Sequence, residues 1–148
     1  MAKGKFGYAH NLVPKVSLLS ELEAGAKIGI TDLKALNFTL GGFGAKTINN
    51  FVSFYGYDFI SIVENTFIKA AFTLDYNFAK NHHFNLAGNF ANAGPAIFIS
   101  DDWIQWPKYN GYAFGYGFDS ILGPLQAKYT YSPEIKDHLF LVSLGLWF

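Results

Sequence analysis

Eight serines stand in this chain, at Ser17, Ser20, Ser53, Ser61, Ser100, Ser120, Ser132 and Ser143. A hydrolase of the elbow type would hold one of them in a G-x-S-x-G turn. None is so placed, and no Asp-Gly pair occurs to supply the partner acid of a D-G-[GA] dyad. His82 and His83 invite a metal reading. Neighbours on a strand point to opposite faces, so they cannot share one ion in regular geometry, and a turn or rim position suits them better. Asp101 and Asp102, before Trp103, offer one carboxylate pair toward the roughly six to eight oxygens that calcium takes, which reads as a solvated loop. Gly41-Gly42-Phe43-Gly44 has neither the Lys nor the helix pattern of a phosphate loop. No catalytic residue, metal or cofactor is therefore expected on this chain.

What remains is a set of charges of both signs: Glu21, Glu23, Lys27, Lys69, Asp75 and Lys128. They can tune a pore, or they can fill a polar lumen by compensating one another; the second is the expected role. The elements that must position them have a period of two, not 3.6. Along Lys15–Ile30, Val16, Leu18, Leu22, Ala24, Ala26, Ile28 and Ile30 share a face, opposite Ser17, Glu21, Glu23 and Lys27. Ile68, Ala70, Phe72, Leu74, Tyr76 and Phe78 alternate with Lys69, Thr73, Asp75 and Asn77. Phe84, Leu86 and Phe90 alternate with His83, Asn85 and Asn89. Tyr112, Phe114, Tyr116 and Phe118 alternate with Ala113, Gly115, Gly117 and Asp119. Leu125, Ala127, Tyr129 and Tyr131 alternate with Gln126, Lys128, Thr130 and Ser132. In the closing stretch, Phe140, Val142, Leu144, Leu146 and Phe148 form one wholly apolar face.

This amounts to about six antiparallel strands, with Gly, Pro and Asn punctuation between them. Two stretches break the alternation: Leu40 to Phe59, rich in Gly, Asn and aromatics, and Ala91 to Asn110, which reads as a long loop. The N-terminus is basic but lacks the apolar core of a secretory signal. No apolar run approaches the ~20 residues of a membrane helix.

Composition narrows the function. Of 148 residues, 51% are hydrophobic, 19% aromatic and only 15% charged, against about a quarter charged in ordinary soluble domains. Zero net charge argues against a nucleic-acid partner. Cysteine is absent, which removes disulfides and thiolate metal sites. Alternation alone does not say whether the apolar faces meet another sheet or lipid. Lipid is favoured by opposite faces rich in Gly, Asn, Ser and Thr, by Tyr76, Trp103, Trp106, Tyr109, Tyr112, Tyr129, Tyr131 and Trp147 near expected strand ends, and by the apolar last strand. The competing reading is a soluble lipid-binding β-barrel whose aromatic rows line an internal cavity.

The last strand, with Phe140, Val142, Leu144, Leu146 and Phe148, resembles the C-terminal signal of bacterial outer-membrane barrels. Leu40 to Gly44 (LGGFG), Phe54 to Phe59 (FYGYDF), GYGFDSILGPLQAKYTYSPE and LGLWF follow the order of the barrel-assembly (BamA-like) surface-antigen superfamily. In wording, the chain from about Val16 onward is most similar to the C-terminal barrel of patatin-like phospholipases of the Bacteroidetes type. The resemblance implies an all-β fold: an antiparallel transmembrane barrel segment of about six strands, residues 1–148 being the C-terminal portion of a larger barrel with its upstream domain elsewhere. It implies a luminal loop at Phe54, Tyr55, Gly56, Tyr57 and Asp58, outer-membrane lipid and the barrel-assembly machinery as partners, and either the remaining barrel strands or further copies to complete the wall. It implies a bacterial outer-membrane location, with any lipid hydrolase chemistry lying upstream. The family's loop usually places an Arg before Gly-Phe or Gly-Tyr, paired to a carboxylate; here Tyr55 takes that place. A barrel of the assembly or secretion class, with periplasmic modules upstream, is the alternative.

Overall fold

The computed structural model describes residues 1–28, 37–42, 50–121 and 123–145. Ten strands lie among them: β1 Ala2–Val13, β2 Val16–Ala26, β3 Phe38–Leu40, β4 Phe51–Val52, β5 Ile62–Glu64, β6 Thr66–Ala79, β7 His82–Gly94, β8 Tyr109–Ser120, β9 Gly123–Ser132 and β10 Asp137–Leu144. Seven of them form one sheet in the order β1-β2-β6-β7-β8-β9-β10, antiparallel throughout. The other three form a small sheet, β4-β3-β5, within the excursion between β2 and β6. The large sheet is open, with β1 and β10 as its edges.

The sheet has one strand more than the alternation implied. β1 pairs along its whole length with β2, from Ala2 opposite Ala26 to Val13 opposite Val16. Its alternation is thin, because Gly4 and His10 break the row of Phe6, Tyr8 and Leu12 while Gly7 and Ala9 leave the opposite face with little polar contrast. The hairpin turns at Pro14-Lys15, where Lys15 takes a positive φ of 73°. Asn81 does the same between β6 and β7, with φ 64°, a conformation Asn tolerates better than most residues. The turn ahead of β9 lies at the same end of the sheet. The connections 27–65, 95–108 and 133–136 lie at the other. Short turns thus alternate with longer connections, and the strands of 8 to 14 residues are near the length a tilted membrane strand needs.

Cross-strand register sorts the side chains without ambiguity. One row runs His10, Leu18, Leu74, Leu86, Phe114, Tyr129, Phe140; another runs Val16, Tyr76, Phe84, Tyr116, Ala127, Val142. This face is open: Phe6 and Phe140 are each 70% exposed, Leu86 58% and Phe114 54%. The opposite face carries the row Asn11, Ser17, Asp75, Asn85, Gly115, Lys128, Leu141 and the row Gly7, Glu21, Ala71, Asn89, Gly111. That polar face is the covered one. At its loop end, Phe38, Leu40, Val52, Phe54, Tyr57 and Ile62 of the excursion pack on Phe67, Ala91 and Ala93 of β6 and β7.

Candidate functional site

Among the described residues, the polar face and the segment docked on it bring Tyr55 and its neighbours together with Glu23, Lys69 and Lys128. Phe54 is fully buried and meets Tyr57 edge to face, at 5.4 Å between ring centroids. The Tyr55 amide donates to Asn89 Oδ1 at 2.7 Å. Gly111, beside Asn89 on β8, leaves room for the Tyr55 carbonyl: a Cβ there would overlap it. Gly56 has φ 80°, and a Cβ on it would come within 2.6 Å of the Tyr131 carbonyl. Both glycines are required by close backbone approach. Tyr57 is buried and Asp58 is exposed. The segment is further tied back by Phe54 N–H donating to the Gly42 carbonyl and Gly42 N–H donating to the Tyr57 carbonyl.

The charges fall into separate clusters rather than one network. Glu23 takes Lys69 at 3.0 Å and Lys3 at 2.9 Å, and its side chain and that of Lys69 are almost wholly buried. The same two ammonium groups reach the docked segment, Lys69 donating to the Ser53 carbonyl at 3.1 Å and Lys3 to the Phe51 carbonyl at 2.8 Å. Glu21 pairs with Lys5. Asp75 accepts from Asn77 and meets His83 Nδ1 at 2.6 Å. Lys128 donates to the Tyr55 hydroxyl at 3.1 Å and lies over the Tyr55 ring, 5.1 Å from its centroid. Lys27 lies past the end of β2, where it donates to Asn37 Oδ1. Tyr55, which stands where the resemblance led us to expect an Arg, meets a cation instead: Lys128 on β9.

A second tether lies at the loop end. Glu134 accepts from Ser132 Oγ at 2.8 Å, from Asn110 Nδ2, and from the Tyr57 hydroxyl at 3.3 Å. Partial burial pushes the Glu134 carboxyl up, but the hydrogen bonds from Asn110 and Ser132 outweigh it and hold it below its ordinary value. Burial, aided by the nearby Glu134 charge and opposed by Ser132, pushes the Tyr57 phenol up.

Several residues of the site escaped the sequence reading. Lys3 and Lys5 supply two of the three ion pairs to Glu21 and Glu23 among the described residues; their spacing of two, on the face opposite Phe6 and Tyr8, was the available signal. Asn89 and Gly111 carried no chemical signature. His82 and His83 fall on opposite faces just past the Asn81 turn, His82 meeting the Tyr116 hydroxyl at 2.6 Å and His83 meeting Asp75. Tyr109, read as part of an outward aromatic belt, instead pairs opposite Ala91 on the polar face and packs on Tyr57 at 6.0 Å. Asp102 stays in an exposed loop, accepting from Ser100 and Gln105. In the last strand, Phe140, Val142 and Leu144 share the exposed apolar face; Leu146, Trp147 and Phe148 lie outside the described residues, as do Phe43, Gly44 and Ile30.

Residues 1–148 match the family model of the OMP85 superfamily. The chain belongs to the OMP85 superfamily. The match spans the whole chain, β1 included, and bears out the barrel-assembly resemblance at superfamily level. It does not reach the narrower patatin-like group. No curated protein matches this chain. An open, all-antiparallel sheet with one apolar and one polar face is what a barrel segment of the OMP85 superfamily would present.

Proposed function

We propose that this chain is a non-catalytic wall segment of an outer-membrane β-barrel, serving as the membrane anchor or translocation segment of a larger protein similar to patatin-like phospholipases. The observation that carries the reading is the inversion of its two faces. Leu86, Phe114, Phe140 and their rows are held open, while Glu23 and Lys69 are buried on the other side. In water each open Leu or Phe would forgo about 1.5–3 kcal/mol of burial; against lipid it forgoes nothing.

Strand parity supports remaining barrel strands, rather than further copies, as the partner. Seven antiparallel strands leave β1 and β10 running in the same direction, from the loop end to the turn end. A second copy inserted in the same orientation would meet either edge in parallel. An odd number of further antiparallel strands closes both edges with the ladder type used everywhere else in the sheet. Unpaired edges in lipid are too costly to persist. By the usual barrel rule, the Pro14, Asn81 and pre-β9 turns face the periplasm and the longer connections face outward. Phe140, Val142 and Leu144 are the described part of the face offered to the barrel-assembly machinery, and Leu146 and Phe148 extend the same alternation in the sequence. The assembly- or secretion-type reading fits the OMP85 superfamily equally well; upstream coding sequence with G-x-S-x-G supports the lipase parent, and periplasmic βα repeats support the assembly factor.

The test is Leu86→Arg, in the middle of the open face. In a soluble fold, Arg at an exposed position is nearly neutral. In a lipid-facing row it costs about 2–4 kcal/mol of insertion. Loss of the boiling-sensitive folded band in outer-membrane fractions is the expected outcome; an undiminished band would refute the wall reading.

A further inference from the structure

The connection between β7 and β8, residues 95–108, does not stand up into solvent. It is fastened to the outside of the sheet. The Ile97 amide donates to Thr66 Oγ1 at 3.1 Å, and that hydroxyl donates to the Gly94 carbonyl at 2.6 Å. Asn92 holds the other limb, donating to the Gln105 carbonyl at 3.0 Å and accepting from the Lys108 amide at 2.7 Å. Register places all three anchors on the outward face, Thr66 opposite Gly94 and Asn92 opposite Ile68. Phe98 reaches across to the outward side of β1 and β2, near Gly4, Ala24 and Ala26.

The exposed part of this lobe carries large apolar side chains beside Asp101, Asp102 and Gln105. Trp106 is 94% exposed, Ile99 88%, Ile104 68% and Trp103 41%. Some of its polar groups pair locally: the exposed Asp102 carboxylate accepts from both the Ser100 hydroxyl and the Gln105 amide, and a 3-10 turn spans Asp102–Ile104. Beyond the row Leu22, Ala70, Phe90, Asn92 stands in the next outward row and Thr66 and Gly94 in the one after, at the loop-end margin of the open apolar face. A lobe that sets two exposed indoles and two exposed isoleucines beside exposed polar side chains, held at that height on the lipid side, has the amphipathic chemistry of an interfacial anchor.

We propose that residues 98–106 dock into the headgroup region of the outer leaflet, with lipid as the occupant. The inference rests on the wall reading above and goes beyond it, because the belt of a barrel is ordinarily carried on strands. Lipid is favoured over a protein partner by continuity: the lobe extends the same outward face that Phe6, Leu22 and Phe72 already present.

The experiment uses the full chain folded into phosphatidylcholine vesicles, with Trp103→Phe and Trp147→Phe leaving Trp106 as sole emitter. Nitroxide lipids labelled near the headgroup should quench Trp106 more strongly than lipids labelled near the chain terminus, and its emission should shift to the blue on folding. The chain has no cysteine, so Ile104→Cys carrying an environment-sensitive dye gives a second readout without touching either Trp. Vesicle-dependent β-structure with Trp106 quenched by aqueous acrylamide but by neither lipid would overturn the docking and leave the wall intact, pointing to a protein-facing lobe. β-structure formed in plain buffer, indifferent to vesicles, would overturn both.

Discussion

Lys69→Met is the perturbation that probes the polar face most directly. The Lys69 ammonium sits 3.0 Å from Glu23 and 3.1 Å from the Ser53 carbonyl, with its side chain 4% exposed and that of Glu23 6%. Removing one member of a buried ion pair costs about 3–5 kcal/mol, because the other charge is left without compensation. Lys3 remains on the opposite oxygen of Glu23 at 2.9 Å, though it is a quarter exposed. It retains part of the pairing, so the low end applies, about 3 kcal/mol. The Ser53 carbonyl adds little, since that residue is exposed and water replaces the lost donor. Glu23→Gln combined with Lys69→Met removes the stranded charge and should recover about 2 kcal/mol of the loss. The assay is the urea midpoint of the folded chain in detergent, followed by tryptophan emission, at constant slope. A Lys69→Met loss below about 1 kcal/mol, or a double variant no better than the single, would refute the claim that these charges are buried and mutually dependent.

Gly111→Ala should lift the docked segment, because the new methyl meets the Tyr55 carbonyl rather than a movable side chain; faster proteolysis in the exposed stretch Asp58–Ser61 with the sheet still folded is the expected result. Gly117→Ala meets first the His83 ring, a side chain remote from the docked segment, and should leave that rate unchanged. Lys128→Met and Tyr55→Leu should show a coupling of about 1 kcal/mol in a double-mutant cycle, from the cation over the ring and its hydroxyl; strictly additive losses would count against the contact. The Glu134 carboxyl is held below its ordinary 4.5, so its stabilising hydrogen bonds are present above that pH and are lost as pH falls through the lower folded value. Proteolysis of the docked segment should therefore accelerate only below about pH 4.5, and Glu134→Gln should abolish that dependence.

The alternation of β2, β6, β7, β8, β9 and β10 was legible because the side-chain period of a strand is two whatever lies beyond it. So was the sorting of Glu21, Glu23, Lys69, Asp75 and Lys128 onto one face, and of Phe140, Val142 and Leu144 onto the other. β1 was not, because Gly4 and His10 dilute its apolar face and Gly7 and Ala9 weaken the contrast of the other. Tyr109 was misread for a different reason. It is the first residue of β8, and a one-residue uncertainty in where a strand begins reverses the face of its end residue.

Partners across strands lay beyond the sequence altogether. Period assigns a face, but register decides that Glu23 meets Lys69, that Gly111 stands beside Asn89, and that Lys128 reaches Tyr55. In the hairpins β1–β2 and β6–β7 the turns at Lys15 and Asn81 and the irregularities at Asn11/Val13 and Asn77/Ala79 fix register, but β2–β6 and β7–β8 are joined by long connections, so no local turn signal announces their pairings. The segment Phe54–Asp58 has no period to read, since its order comes from packing on Phe67, Ala91 and Ala93 and not from a ladder of its own. The amino-acid sequence by itself determined that this protein is a two-faced antiparallel sheet with an apolar last strand. Only the tertiary structure decided which face is covered, what covers it, and that the apolar face stands open, because those are facts about contacts between residues far apart in the chain.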